Sequence, residues 1–100
     1  YGISTFGGDS LGAITTTLNG SLSDNAFGTG GSGTTITLAS VSGLPTTGIN
    51  YILVGTEEIS YTGVVGSTIT GITRAVRGTT RAAHNTGATV TNTSSYSSRF

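Results

Sequence analysis

Glu57 and Glu58 stand side by side, His84 is the single histidine, and three of the four positive charges, Arg74, Arg77 and Arg81, lie between them. Paired carboxylates could serve as general acid and base or hold a divalent cation, and a histidine among many hydroxyls could activate a nucleophile. Adjacent residues on a strand point to opposite faces, however, so Glu57 and Glu58 do not converge on one substrate or one ion. His84 has no acid close to it in the sequence to orient its imidazole. These residues favour a different use: a buried glutamate pairs with one of Arg74, Arg77 or Arg81 and pins strand register or a subunit contact. No catalytic residue, metal ligand or cofactor site is assigned, and the chain is read as a non-enzyme.

Other patterns yield to blander readings. Gly28, Gly30 and Gly33 match G-x-G-x-x-G, but a dinucleotide loop needs a strand before it and a helix after it to hold the pyrophosphate. The loop instead runs into Thr34-Thr35-Ile36-Thr37-Leu38, which alternates like a strand, so the glycines read as a linker. Tyr51, Tyr61, Tyr96 and Phe100 could form a sugar platform, yet scattered aromatics on strands belong more often to a core or an interface. Asn19-Gly20-Ser21 and Asn92-Thr93-Ser94 match the glycosylation sequon, a frequent coincidence in a chain with 21 Thr and 13 Ser.

The elements that must position these residues are short strands. Thr is β-branched and favours strands, whereas Ser and the 17 Gly favour turns. Alternation predicts strands over Thr35 to Ser40, Glu57 to Thr62 and Thr68 to Thr73, with Gly71 marking a bulge, and a last strand around Ala88 to Thr91. Ile49 to Val54 is a nearly continuous apolar run, the pattern of a strand covered on both faces. Val65-Gly66-Ser67 reads as a turn. The fold class is therefore all-β, a small antiparallel β-barrel or sandwich over residues 34–92.

Residues 1–33 have a different character. Tyr1, Ile3, Phe6, Leu11, Ile14, Leu18, Leu22 and Phe27 are spaced by Gly, Ser and Thr without a helical period, too sparsely for a core of their own. They are expected to anchor an extended N-terminal arm on a neighbouring subunit, with a hairpin possible at Asn19-Gly20. Residues 93–100 form a short C-terminal tail. The chain begins at Tyr1 and has no Met, so if it is a whole mature protein, a leader, a propeptide or an initiator has been removed.

Composition narrows the function. Charged residues are 8% of the chain against the usual quarter, and the formal net charge is zero, so much of the surface is expected to be covered by something else. Lys is absent and the few Arg form no broad positive surface, which argues against nucleic acid. No run is long enough to span a membrane. With no Cys, neither disulfides nor thiolate metal sites can reinforce the modest core of a chain this size, which leaves sheet hydrogen bonding and assembly.

The order of motifs from Thr34 onward carries a resemblance. A short strand, G-L-P-T-T-G, a strand, G-T-E-E-I-S-Y-T-G, a strand with T-I-T-G-I-T-R, then R-G-T-T-x-A-A-H and T-G-A-T-V, resembles a small β-domain that recurs in tailed-phage virion proteins, both tail and capsid-associated. It covers about 60 of the 100 residues, within the usual range for one domain. Ala75 and Arg77 depart from it where Gly and a small polar turn residue are expected, and Arg81 where Ala is commoner, so a turn geometry is at issue rather than the fold. The resemblance places His84 in a loop, where its ring is expected to bond backbone and, with Gly78, to stabilise the turn.

It implies a structural subunit of a bacteriophage virion, most simply a capsid decoration or cement protein. The expected partners are copies of itself and other virion structural proteins, the major capsid or tail protein. The alternatives are a tail or fibre component, or a secreted extracellular filament subunit assembled by strand addition.

Overall fold

Short β-branched runs broken by glycine turns leave the chain little choice but to pair strands. The computed structural model describes residues 14–93, and no helix occurs among them. The strands are β1 (Thr15–Thr17), β2 (Thr35–Thr37), β3 (Asn50–Val54), β4 (Glu57–Tyr61), β5 (Gly63–Val65), β6 (Thr68–Thr70) and β7 (Thr89–Asn92). They form two antiparallel sheets, one ordered β1-β7-β3-β4 and the other β2-β6-β5.

Two-residue turns set the registers on which everything else depends. Val54 pairs with Glu57 around Gly55-Thr56, and Val65 with Thr68 around Gly66-Ser67. Gly55 and Gly66 both have φ of 60°, the left-handed first position that a type II′ hairpin turn requires. Glu57 is thereby placed on the same face of β4 as Ile59 and Tyr61, and Glu58 on the opposite face with Ser60.

Between β4 and β5 the chain changes sheets. The Thr62 amide bonds the Thr70 carbonyl at 2.9 Å while Gly63 is also the partner of Thr70, so two residues oppose one, as in a β-bulge. Gly71 completes this corner: its φ is +64°, and a Cβ there would fall on Thr62 Oγ1. Conformation and space both exclude a side chain.

The two sheets share one core of Leu18, Leu22, Ile36, Leu38, Leu44, Ile52, Val54, Ile59, Tyr61, Ile69, Ile72 and Val90. Tyr61 is wholly buried, donates its hydroxyl to the Pro45 carbonyl at 2.8 Å, and has its phenol pushed up to about 12 by burial. The sheets meet at isolated bridges, Leu18 with Leu38 and Ser60 with Thr73. Those bridges are not a continuous ladder, so the barrel alternative is corrected: the body is two sheets, not a closed barrel.

Several expectations change here. The boundary at residue 33 does not match the packing, because β1 pairs with β7 and Leu18 and Leu22 are core residues. Ile14 packs against the same core, while Phe27 is nearly half exposed. Each apolar side chain in 14–22 is too isolated to make a core alone, but a strand added to a sheet buries it against others. The arm anchors Tyr1, Ile3, Phe6 and Leu11 lie outside the described residues, as does the tail beyond Thr93 with Tyr96 and Phe100.

Asn19-Gly20 closes no hairpin. The Gly20 amide bonds Thr86 Oγ1 at 3.0 Å, and β1 takes its partner from the far end of the chain. The strand covered on both faces is β4, buried throughout, whereas β3 alternates between buried and half-buried positions and Ile49 is exposed. Val65 belongs to a strand, β5, and the bulge lies at Thr62-Gly63 rather than at Gly71.

Candidate functional site

Strand β4 runs along the edge of the four-stranded sheet, and residues 73–84 are strapped across that edge. Ser60 and Thr73 exchange amide-carbonyl bonds of 3.0 Å, and the Val76 amide bonds the Glu58 carbonyl at 2.8 Å. An otherwise exposed edge is thus covered by a later segment of the same chain. The strap turns at Val76-Arg77-Gly78-Thr79, where the Thr79 amide reaches the Val76 carbonyl at 3.2 Å and the two central residues both have positive φ, 56° and 83°, as in a type I′ turn. Ala75 is left-handed too, with φ of 53°. Ala75 and Arg77, two of the three positions at which the sequence departs from the expected turn pattern, are the two non-glycine residues held at positive φ among the described residues, a conformation costing roughly 1–2 kcal/mol each.

The two glutamates hold the strap against that strain. Glu57 is fully buried and receives Arg74 through Nε–Oε2 at 2.6 Å and Nη2–Oε1 at 3.0 Å. Its carboxylate also accepts the Ala75 amide at 3.0 Å, the Ala82 amide at 3.1 Å and His84 Nε2 at 2.9 Å. Because an ionised carboxylate only accepts, the His84 proton on this contact is on Nε2. Arg74 is equally committed: Nη1 donates to the carbonyls of Ser23 at 3.0 Å and Phe27 at 2.8 Å, and Nη2 to that of Ala82 at 2.7 Å. All five guanidinium donors are used.

Burial by itself pushes the Glu57 carboxyl up, but hydrogen bonds from Arg74, His84 and the Ala82 amide, with the Arg74 charge, outweigh it and hold the group below the ordinary carboxylate range. The backbone of His84 contributes as well, exchanging bonds of 2.8 and 2.9 Å with Leu22. One carboxylate thus gathers β4, the 23–27 loop and both halves of the strap.

Glu58 does the same on the outer face with more exposed partners. Arg77 meets it bidentately at 2.7 and 2.6 Å, and Thr93 Oγ1 donates to it at 2.7 Å. The Arg77 bond lowers the Glu58 carboxyl against the opposing effect of burial, and it raises Arg77 in turn. The Arg77 guanidinium also lies 3.9 Å over the Tyr51 ring. The register Tyr51 with Ser60 puts this ring on the Glu58 face.

The candidate residues are therefore brought together in two groups, and one stays apart. Glu57 joins Arg74 and His84, Glu58 joins Arg77, and among the described residues Arg81 faces Asp24 at 3.6 Å with both side chains exposed. One expectation for His84 is corrected, since its ring bonds a carboxylate rather than backbone; the acid that orients it is 27 residues away, in keeping with the lack of one nearby in the sequence. Gly78 occupies the strap turn. Thr93, assigned to the tail by its sequence, is buried and bonds Glu58.

Chemically, this arrangement is a clasp. The Glu57 oxygens already accept five donors, which leaves no lone pair for a substrate proton. Around Gly28 to Gly33, the amides of Gly28, Thr29, Gly30 and Gly31 are all donated to carbonyls of the chain itself, so they form no phosphate cradle. Among the described residues no group of three or more acidic, His or Cys side chains is placed to hold a metal ion. Comparison of the chain with protein-family models, with curated proteins and with solved structures finds no match.

Proposed function

We propose that the chain is a non-enzymatic structural subunit of a phage virion, used as a capsid decoration or cement protein. The observation that carries this reading is where the charge goes. Glu57, Glu58, Arg74 and Arg77 neutralise one another in the clasp, and Asp24 and Arg81 are the other charged side chains on a described surface made mostly of Thr, Ser, Gly and a few apolar residues. A surface with so little charge has weak mutual repulsion between copies, which suits a subunit packed among neighbours better than a free monomer. The resemblance of the 34–92 motifs to virion β-domains supports the same reading. The clasp supplies the rigidity that a chain without Cys cannot take from disulfides.

The test is to compare particles with and without the protein for resistance to heat and osmotic shock. Lower resistance without it is the expected result; unchanged resistance would count against a cement role. Copy number separates a shell component, present at every lattice position, from a tail or fibre component present only a few times. The open edge of the second sheet favours strand addition as the mode of assembly, which a secreted filament would share; bare filaments without capsids would select that alternative.

A further inference from the structure

The two sheets treat their edges differently. The strap covers the β4 edge, and the β1 edge is joined to residues 37–40 through the Leu18–Leu38 bridge and the Ala39 amide on the Thr17 carbonyl at 2.9 Å. Strand β5 pairs with β6 on one side and with no strand on the other, among the described residues. In a hairpin closed at Val65–Thr68, bonded and non-bonded pairs alternate, so Val64 turns its amide and carbonyl away from β6 toward the open side. Val65 beside it is 69% exposed. Strands β2, β5 and β6 carry no charged residue and no Pro, the usual guards of a free edge.

The chain also supplies a strand to fill it. Ile14 accepts the Asn92 amide at 2.8 Å, which extends the β1–β7 register one step beyond Thr15–Thr91. Moving from β1 toward the N-terminus follows β3 toward Asn50 and β4 toward Tyr61, so Ile14, where the described residues begin, lies at the end of the sheet where the chain crosses to β5. Thirteen residues span up to about 45 Å when extended, enough to reach a neighbouring body. Their sequence opens Tyr1-Gly2-Ile3-Ser4-Thr5, which alternates large and small as a donor strand requires.

We propose that the open edge of β5, Gly63–Val65, is the acceptor for residues 1–5 of a neighbouring copy, which add to the β2-β6-β5 sheet as a fourth strand. This rests on the structural-subunit reading and names the surface through which that subunit assembles. Val64 supplies the backbone bonds, Val65 the apolar contact, and the uncharged sheet imposes no desolvation of charge.

The absence of Cys allows a direct test by disulfide trapping in the full chain. Val65→Cys protein is mixed with differently tagged Ile3→Cys or Thr5→Cys protein and oxidised, with Thr89→Cys on the other sheet as the reference acceptor. The expected result is a mixed disulfide at Val65→Cys formed roughly a hundredfold faster than at Thr89→Cys, because docking raises the effective concentration of the thiols. Equal rates would overturn the proposal. So would a disulfide closed within one chain when Val65→Cys and Ile3→Cys are combined, since the segment would then fill its own edge.

Sedimentation of full-length variants separates this inference from the reading beneath it. Val64→Pro removes the outward amide without breaking a bond to β6, and Val65→Asp, at an exposed position, covers the case in which the constrained proline backbone does not fold; both are expected to abolish assembly. If Ile3→Asp/Phe6→Asp blocks assembly and the β5 variants do not, the acceptor lies elsewhere while the assembly reading stands. If none of the variants changes assembly, both fail.

Discussion

The clasped edge of the four-stranded sheet and the bare edge of the three-stranded sheet solve opposite problems with the same strand chemistry. At β4, four of the chain's eight charged side chains are spent internally, with Glu57 fully buried, to hold residues 73–84 over the edge. At β5, three residues without charge have no partner strand on their outer side among the described residues. The difference teaches that the charge in this small body is placed for local closure. Where a loop must be held in left-handed backbone at Ala75 and Arg77, fixed ionic partners supply the restraint; where none are placed, the sheet stays free to add a strand.

The strongest way to break the comparison is to remove its buried centre. Glu57→Ala leaves the Arg74 charge and the Ala75 and Ala82 amides without their acceptor and is expected to cost about 3–5 kcal/mol. Val65→Ser at the open edge is expected to change stability by less than about 0.5 kcal/mol. Urea unfolding of both variants reads the contrast directly, and similar losses would show that the two edges do not differ as argued.

Acid sharpens the same contrast without mutation. Glu57 and Glu58 both titrate below the ordinary value of 4.5. A carboxyl lowered in the folded state contributes stability that is complete above the unfolded value and is lost as pH falls through the folded one. Unfolding free energy is therefore expected to decrease as pH drops below 4.5, by at most about 1.4 kcal/mol per pH unit for each carboxyl. Glu58→Gln should remove one carboxyl's share of that slope. Amide exchange should open the strap before β2, β5 and β6; opening in the reverse order would contradict the assignment of the clasp.

Much of the strand pattern was legible because alternation is a local property: Glu57 to Thr62 put Glu57 and Glu58 on opposite faces before any pairing was known. What alternation does not carry is the identity of the partner strand. Residues 14–22 are too sparse in apolar side chains to look like core, and only the pairing of β1 with β7, across most of the chain, buries Leu18 and Leu22. The same limit hid the acid that orients His84, which lies 27 residues away and comes near only through the strap. Tyr51 could be matched with Arg77 only once Tyr51 was known to lie opposite Ser60.

Arg77 tests how much of the clasp is interaction and how much is strain. Its side chain is 37% exposed, so Arg77→Ala is expected to lose a partly screened pair and the Tyr51 contact, about 1–2 kcal/mol together. Arg77→Gly loses the same contacts but is at ease at a φ of 56°, and should be less destabilised than the alanine variant by roughly 1 kcal/mol. Equal thermal melts for the two would show that the left-handed turn stores no strain.

The smallest effect belongs to the arginine that sequence alone does not distinguish from the other two. Arg81 faces Asp24 at 3.6 Å with side-chain exposures of 44% and 67%, so water and salt screen the pair and the long arginine side chain would have to be fixed to strengthen it. Arg81→Ala is expected to shift unfolding by no more than about 0.5 kcal/mol, and that shift should vanish in high salt. Arg74, seven residues earlier, has the same side chain but is 1% exposed with every donor bonded, and its loss should resist salt. A salt titration of Arg74→Ala beside Arg81→Ala therefore separates a buried clasp from a surface contact. If Arg81→Ala proved as costly as Arg74→Ala, the Asp24 side chain would have to belong to the clasp along with the backbone of its loop, and the boundary between closed edge and free surface would move.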